Sequence, residues 1–407
     1  MTPTFAYLER TTPTPAAVRP GRDAVLPDPD VAALCSRVFP SFSRRDQRGK
    51  AEQYLHGLLS APGRKSMRNI AGYLGSTAAE QSLHHFISAS TWDYDQVRAA
   101  LADYVEDVVR PQAWVLRPMV IPKAGQYSVG VERRFVPEFG QAVNCQQAFG
   151  VWAASDSASC PIDWQLHLPD RWMTDPELRR RAKVPADARW LSPVECEIAA
   201  ATNAAARDGA RVHPLVLDLS DAELGLGARL LDAAGLPFVA GIEATTRLVA
   251  ADLAVPRQGT EFTAAHLLQL ARTRWRPVEW PDPRGSGTRT SMVAAVRVEL
   301  AGRGGTPLLL LGEWSDLRSG CRRFWLSNWH QATWGQLLRT AKLAERVELD
   351  FAEVSSRVGL MDFEGRCYEG WHRHATLASV AHAAAVLADR RGHHDRRDRY
   401  DRRGRAA

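Results

Sequence analysis

A change of residue period at Pro111 constrains this chain more than any other feature. From 31 to 110 apolar side chains recur at helical spacing. In Asp46–Leu59, for example, Tyr54, Leu55, Leu58 and Leu59 fall on or near one face. Pro62-Gly63 breaks that helix, and further helices are predicted over Ser66–Leu74, Ala78–Ser88 and Tyr94–Val109. Past Pro111 the pattern becomes short, β-favouring runs bounded by Gly and Pro. These predict strands at Trp114–Leu116, Tyr127–Val131 and Gln147–Ala153. Helices are then expected over Pro176–Ala182 and Pro193–Asp208, a strand over Val212–Leu217, a helix over Gly225–Ala234 and a strand over Phe238–Ile242. Such alternation predicts an α/β layer fold.

The rest of the chain divides by composition. Residues 244–330 are strand-rich, with turn signals at Pro281–Gly285 and Gly302–Gly305. Helices return over Ala332–Ala344 and Val347–Val358, and a last apolar helix runs from His372 to about Asp389. The Pro/Thr/Ala-rich leader, 1–30, and the Arg/Asp/His tail, 390–407, are expected to be disordered.

The charge balance is local. The net charge is +6, but from Arg390 onward eight Arg and three Asp contribute +5, which leaves about +1 for the body. The basic character therefore marks a tail and not a basic domain face. No apolar run approaches the ~20 residues that span a bilayer, and no secretion signal opens the chain. The six cysteines, at 35, 145, 160, 196, 321 and 367, form no CxxC pair. Scattered thiols argue against a zinc site or a disulfide framework and fit a reducing cytoplasm.

Short motifs in a fixed order carry a family resemblance from about Phe42 to Leu387. Among them are Arg45–Arg48, Tyr54–Leu59, Arg64-Lys65 and Trp92-Asp93. Trp114–Gly125, Ser128–Val131, Asn144–Gln146, Leu166–Pro169 with Trp172, Val184-Pro185, Phe363–Arg366 and Gly370–His374 follow. Together they resemble the DDE-type insertion-sequence transposases. The resemblance implies an RNase H-like core (111–243 and 331–389), a strand-rich insertion (244–330) and a helical N-terminal domain (31–110) that helps grip DNA. It further implies Mg2+, double-stranded DNA as partner, a nucleoid location in the cytoplasm and a homodimer on paired DNA ends. Strand cleavage of that kind uses two divalent metals held by three acidic side chains.

The first acid is missing. Its slot, at the end of the apolar strand, holds Arg117, followed by Pro118, and no Asp or Glu occurs between Val108 and Val131. An arginine offers no lone pair and repels a dication. The second acid matches Asp221, with Asp218 competing and helix capping as an alternative role. The third matches Glu348, while the neighbouring slots that carry Arg-Trp and Lys in the family look like Ala344, Glu345 and Ser355. By resemblance, phosphate contacts fall to Arg45, Arg48, Arg64, Lys65 and Lys123. His372 and His374, two apart on a helix, are read as structural, and Cys145 as a buried small residue on a strand.

These observations support an impaired transposase relative that binds DNA as a regulator or accessory protein. Two alternatives stand beside it. One is an active, metal-dependent transposase with a relocated first acid, for which Glu132 and Asp163 are the nearest candidates. The other is a protein-interaction scaffold, suggested by the near-neutral body.

Overall fold

The protein is seen here as a computed structural model that describes residues 29–75, 77–252, 259–285, 287–301, 307–314 and 321–404. Nearly all of the leader and the Gly302–Gly305 turn lie outside these residues. The N-terminal part is helical as expected: α1 (Pro29–Val38), α2 (Arg45–Ser60), α3 (Met67–Tyr73), α4 (Thr77–Ser88) and α5 (Tyr94–Val109). Local chemistry sets these ends. Ser66 accepts from the Asn69 amide and caps α3; Asp93 accepts from the Asp95 amide and caps α5. Arg110 stops α5 in a left-handed conformation, at φ 52°, next to Pro111.

The first strands are β1 (Ala113–Pro122), β2 (Glu132–Val136), β3 (Gln141–Ala154) and β4 (Ser159–Leu166). After them come α6 (Asp170–Thr174), α7 (Pro176–Ala182), α8 (Pro193–Ala205), β5 (Leu215–Asp218), α9 (Asp221–Ala233) and β6 (Phe238–Ile242). Strand β3 pairs antiparallel with both β1 and β4, while β5 runs parallel to β1 and β6 parallel to β5. The order β4-β3-β1-β5-β6 is that of an RNase H-like core. The predicted strand at Tyr127–Val131 is instead a turn, and pairing begins at Glu132. Gly130 explains this: its φ is +73°, and a Cβ there would come within 2.8 Å of the His167 carbonyl oxygen. Strand β1 runs well past Leu116, through Pro118. Its pairing with β5 covers only Trp114 and Val115, so Pro118, with no N–H to give, lies where β1 has one neighbour.

The strand-rich segment adds β7 (Arg247–Ala250), β8 (Glu261–Thr263), α10 (Ala264–Leu270), β9 (Arg276–Pro281), β10 (Thr288–Leu300), β11 (Leu308–Trp314) and β12 (Arg323–Ser327). It does not stand apart. Strand β12 pairs antiparallel with β6, and the ladder continues through β11, β10, β7 and β8, giving one sheet of twelve strands among the described residues. The two helices expected near the C-terminus are one, α11 (Trp334–Asp350), running into a π-helical turn at Phe351–Ser355. No Gly or Pro interrupts the chain between Gly335 and Gly359, so nothing breaks the helix at Ala344. The last helix, α12, extends over Tyr368–Gly404. Most of the tail expected to be disordered is therefore helical, in keeping with the good helix propensity of arginine and the absence of proline.

Helix α12 joins the two halves. It packs on α2, α4, α5 and β4, and one apolar core extends from Leu34 to Val386. An ionic knot lies inside this packing. Arg98 of α5 is almost fully buried and donates to Asp163 Oδ1 (2.9 Å), the Trp164 carbonyl (3.1 Å), His372 Nδ1 (2.9 Å) and Thr376 Oγ1 (2.9 Å). Arg207 takes the other oxygen of Asp163 at 2.6 Å. Removing Arg98 leaves the buried carboxylate on β4 with Arg207 alone and frees His372 and Thr376 of their shared donor. We expect Arg98→Met to lower stability by about 3–5 kcal/mol, the cost of breaking a buried pair from one side, measured by urea denaturation.

Candidate active site closed by an ion pair

The site is built where β1, β5 and α11 meet. The parallel register pairs Trp114 with Leu215 and Val115 with Val216, and the same offset sets Arg117 level with Asp218. Glu348 comes down from α11. Arg117 grips it with both arms of the guanidinium, Nε to Oε1 at 2.7 Å and Nη2 to Oε2 at 3.0 Å. Nη1 donates to the Pro118 carbonyl at 2.9 Å, and the guanidinium carbon lies 3.5 Å from the centre of the Phe351 ring. Phe351 opens the π-helical turn, so the local widening of α11 supplies the ring under the arginine. Arg117 is mostly covered, whereas Glu348 is about half exposed (16% and 47% of their side-chain surface). The fork geometry, the carbonyl and the ring together give the pair one arrangement.

Asp218 ends β5, opposite Gly241 on β6. A Cβ at 241 would come within 2.0 Å of Asp218 Oδ1, so the carboxylate occupies the space that glycine leaves free. Water reaches Asp218, yet protein crowds it, and its carboxyl is held above the usual range. Desolvation is the main cause, Arg323 opposes it, and nearby Glu348 adds to it. Arg323 opens β12 and also lies 3.8 Å from Glu345, so the insertion contributes a second guanidinium to the site. Behind Asp218, Glu197 of α8 is buried, and its carboxyl is pushed up to about 8 by burial, then by Asp218 and Glu223.

Asp221 stands elsewhere than the sequence reading placed it. It occupies the first turn of α9 and accepts from Thr246 Oγ1 at 2.6 Å, while Glu223 accepts from the Ser220 hydroxyl at 2.5 Å. The carboxylate that senses Glu348 is Asp218, three residues earlier at the strand end. The relocated-acid candidates fare no better. Asp163 is buried and saturated by Arg98 and Arg207, and Glu132 is exposed on β2, opposite Cys145.

A hard dication needs an oxygen cage. Here the first ligand position presents nitrogen donors, and both oxygens of Glu348 are held by them. Among the described residues no three His, Cys, Asp or Glu side chains gather to hold a metal. The donor set does not fit the Mg2+ pair that the resemblance implies.

The predicted phosphate contacts divide. Arg45 and Arg48 are exposed at the start of α2. Arg64 is exposed but faces Asp362 (3.7 Å) and Glu364 (3.5 Å). Lys65 is buried with its ammonium on the Ala61 carbonyl. Lys123 reaches the Phe363 carbonyl, and burial, helped by Arg64, lowers its pKa to about 8. Neither lysine is free to meet a phosphate; both tie loops together.

The histidines are structural, as expected. His374 accepts from the Tyr54 hydroxyl (2.8 Å) and donates to the Gly359 carbonyl (3.0 Å), and burial lowers its pKa to about 4. Cys145 is buried on β3. Ser355, in the slot of the family lysine, is buried and donates to His382 Nδ1 at 3.1 Å; Glu345 pairs with Lys342 at 3.0 Å. Sequence reasoning missed Arg323, Glu197 and Phe351. An acid set against the apolar run Ile198–Ala201, at Glu197, is a signal that could have been read.

Glu197 makes stability depend on pH. Its folded pKa lies above the ordinary value of 4.5, so the folded state holds a proton that the unfolded state releases. Stability should fall as pH rises from about 4.5 to about 8 and then level off. Gln mimics the neutral acid, so Glu197→Gln should flatten that slope in thermal melts taken across the range. A slope unchanged in the variant would refute this.

A family model for the DDE superfamily endonucleases matches residues 37–301, well over half of the chain. The span includes Arg117 and Asp218 and ends before Glu348. A probable transposase for insertion sequence element IS701 from Microchaete diplosiphon is 27% identical over 139 residues, which cover 32% of this chain and 36% of that protein. The chain thus spans about a third of the length of that curated relative. With the strand order of the core and the extent of the family match, the chain belongs to the DDE superfamily endonucleases.

Proposed function

We propose that this transposase-family protein binds double-stranded DNA in the bacterial nucleoid without cutting it, as a domesticated regulatory or accessory factor. One observation carries the reading. The bidentate Arg117–Glu348 pair occupies the place where carboxylates would have to face a metal. A guanidinium offers no lone pair to a metal, and its planar fork matches the carboxylate that it holds. The positive charge there also repels a second cation. What the scaffold still offers is surface. Arg45 and Arg48 lie exposed at the N-terminal end of α2, suited to phosphate, and no helix among the described residues is long and apolar enough to cross a membrane. Two copies on paired sites would follow the habit of the family, and catalysis is not needed for that.

The test is direct. Purified protein, incubated with the DNA flanking its own gene and Mg2+ or Mn2+, should shift the DNA and leave it unnicked. Nicking that disappears in Glu348→Ala would overturn the reading in favour of an active transposase. Binding to no DNA at all would move it to a protein-interaction role. Arg117→Asp should free Glu348 and place a carboxylate beside Asp218. We expect Mg2+ to raise the melting temperature of that variant by a few degrees and to leave the wild type unmoved.

A further inference from the structure

We infer that Tyr127, with Arg181 and Arg366, forms a platform that stacks an unpaired DNA base and holds its phosphate. The inference rests on the DNA-binding reading above and deepens it. Tyr127 lies on the loop that leaves β1 and is 58% exposed, among the most exposed large hydrophobic side chains of the described residues. Two guanidinium groups lie against its ring, Arg181 at 5.4 Å from the last turn of α7 and Arg366 at 5.9 Å from the loop before α12. Both arginines are exposed, and among the described residues neither forms an ion pair.

Their neighbours are satisfied within the fold, which makes the contrast informative. Arg179 donates to the Pro185 and Ala186 carbonyls, and Arg180 pairs with Glu177 at 2.9 Å. Arg64 is taken up by Asp362 and Glu364, on the same loop as Arg366. Two cations drawn to one ring without an anion repel each other, and a phosphate between them relieves the repulsion.

The loop is held in place although its aromatic tip is open. Lys123 reaches the Phe363 carbonyl and Arg171 the Gln126 carbonyl (2.9 Å). Gln146 reaches the Val129 carbonyl (2.6 Å) and Trp172 the Val131 carbonyl (3.0 Å). An exposed ring on a fixed loop costs little entropy to use. A π-face flanked by arginines is the chemistry that holds unpaired bases, since every base stacks and every nucleotide carries a phosphate. A base inside a duplex offers no free face and a blunt end offers only that of its last, paired bases, whereas a tailed or mismatched end presents bases that can turn onto the ring, so the platform favours frayed or single-stranded ends over blunt ones.

Fluorescence anisotropy on the full chain tests this, with one labelled duplex sequence in blunt, mismatched-end and single-strand-tailed forms. Wild type should favour the tailed and mismatched forms. Tyr127→Ala should lose roughly tenfold on those forms, the order expected for one stacked base, and keep its affinity for the blunt duplex. Tyr127→Trp should retain the preference, and Arg181→Gln with Arg366→Gln should weaken it. Equal affinity of wild type for blunt and tailed DNA overturns the platform and leaves duplex binding standing. So does a preference that survives in Tyr127→Ala. Failure to bind DNA of any form overturns both readings.

Discussion

A carboxylate buried on a strand beneath packed helices must be neutralised, and the fold is arranged around that need. Asp163 lies on β4 with 4% of its surface exposed. Arg98 comes to it from the N-terminal helices and Arg207 from the end of α8, while Arg98 also reaches His372 and Thr376 on α12. Three stretches of chain far apart in sequence are thus fixed relative to one strand. Nonspecific apolar contact would let α5 and α12 slide along the sheet; directional bonds to one charge do not. Placement of α12 then fixes the loop at 359–367 that receives Lys65, Lys123 and Arg64. The N-terminal helices and α12 are held to the sheet by charges turned inward.

The site repeats this theme at half exposure. A cleft that needs three carboxylates around two dications carries a large repulsion when the metals are away. Here Arg117 meets Glu348, and Arg323 offsets the charge at Asp218. Neutralisation by guanidinium groups is built into the fold and does not depend on a bound metal. The aromatic ring of Phe351 beneath Arg117 and the free space at Gly241 beside Asp218 indicate a packed arrangement and not a cleft with one residue missing.

Much of this was legible in the sequence. The change of period at Pro111 separated helices from sheet, and α5, α7 and β6 fall where their capping and breaking residues put them. The RNase H-like core followed from motif order, and Arg117 was found because a strand-end position is readable once the strand is. Asp221 was preferred over Asp218 by its match to the family motif, and only three residues separate the two. Only the register of β5 with β1 and β6 tells the strand end from the helix start. Lys65 and Lys123 were read as surface cations, since a sequence does not reveal that an ammonium folds back onto a carbonyl. Arg323 was out of reach for a different reason: its neighbours depend on β12 pairing with β6, a contact between segments some 80 residues apart. The helical extension of α12 shows that a charged, low-complexity run can still continue a helix nucleated upstream.

The junction between β6 and β12 has an evolutionary consequence. In a five-strand core β6 would be an edge; here its backbone donors and acceptors are used up by the inserted segment. A copy of the gene that lost the insertion would leave that edge bare and ready to pair with other chains. Deletion of the insertion is therefore opposed by solubility, whatever the chemistry of the site. A strand that seals an edge is thus tied to the whole sheet, whereas a side chain at a strand end such as Arg117 answers only to its few neighbours.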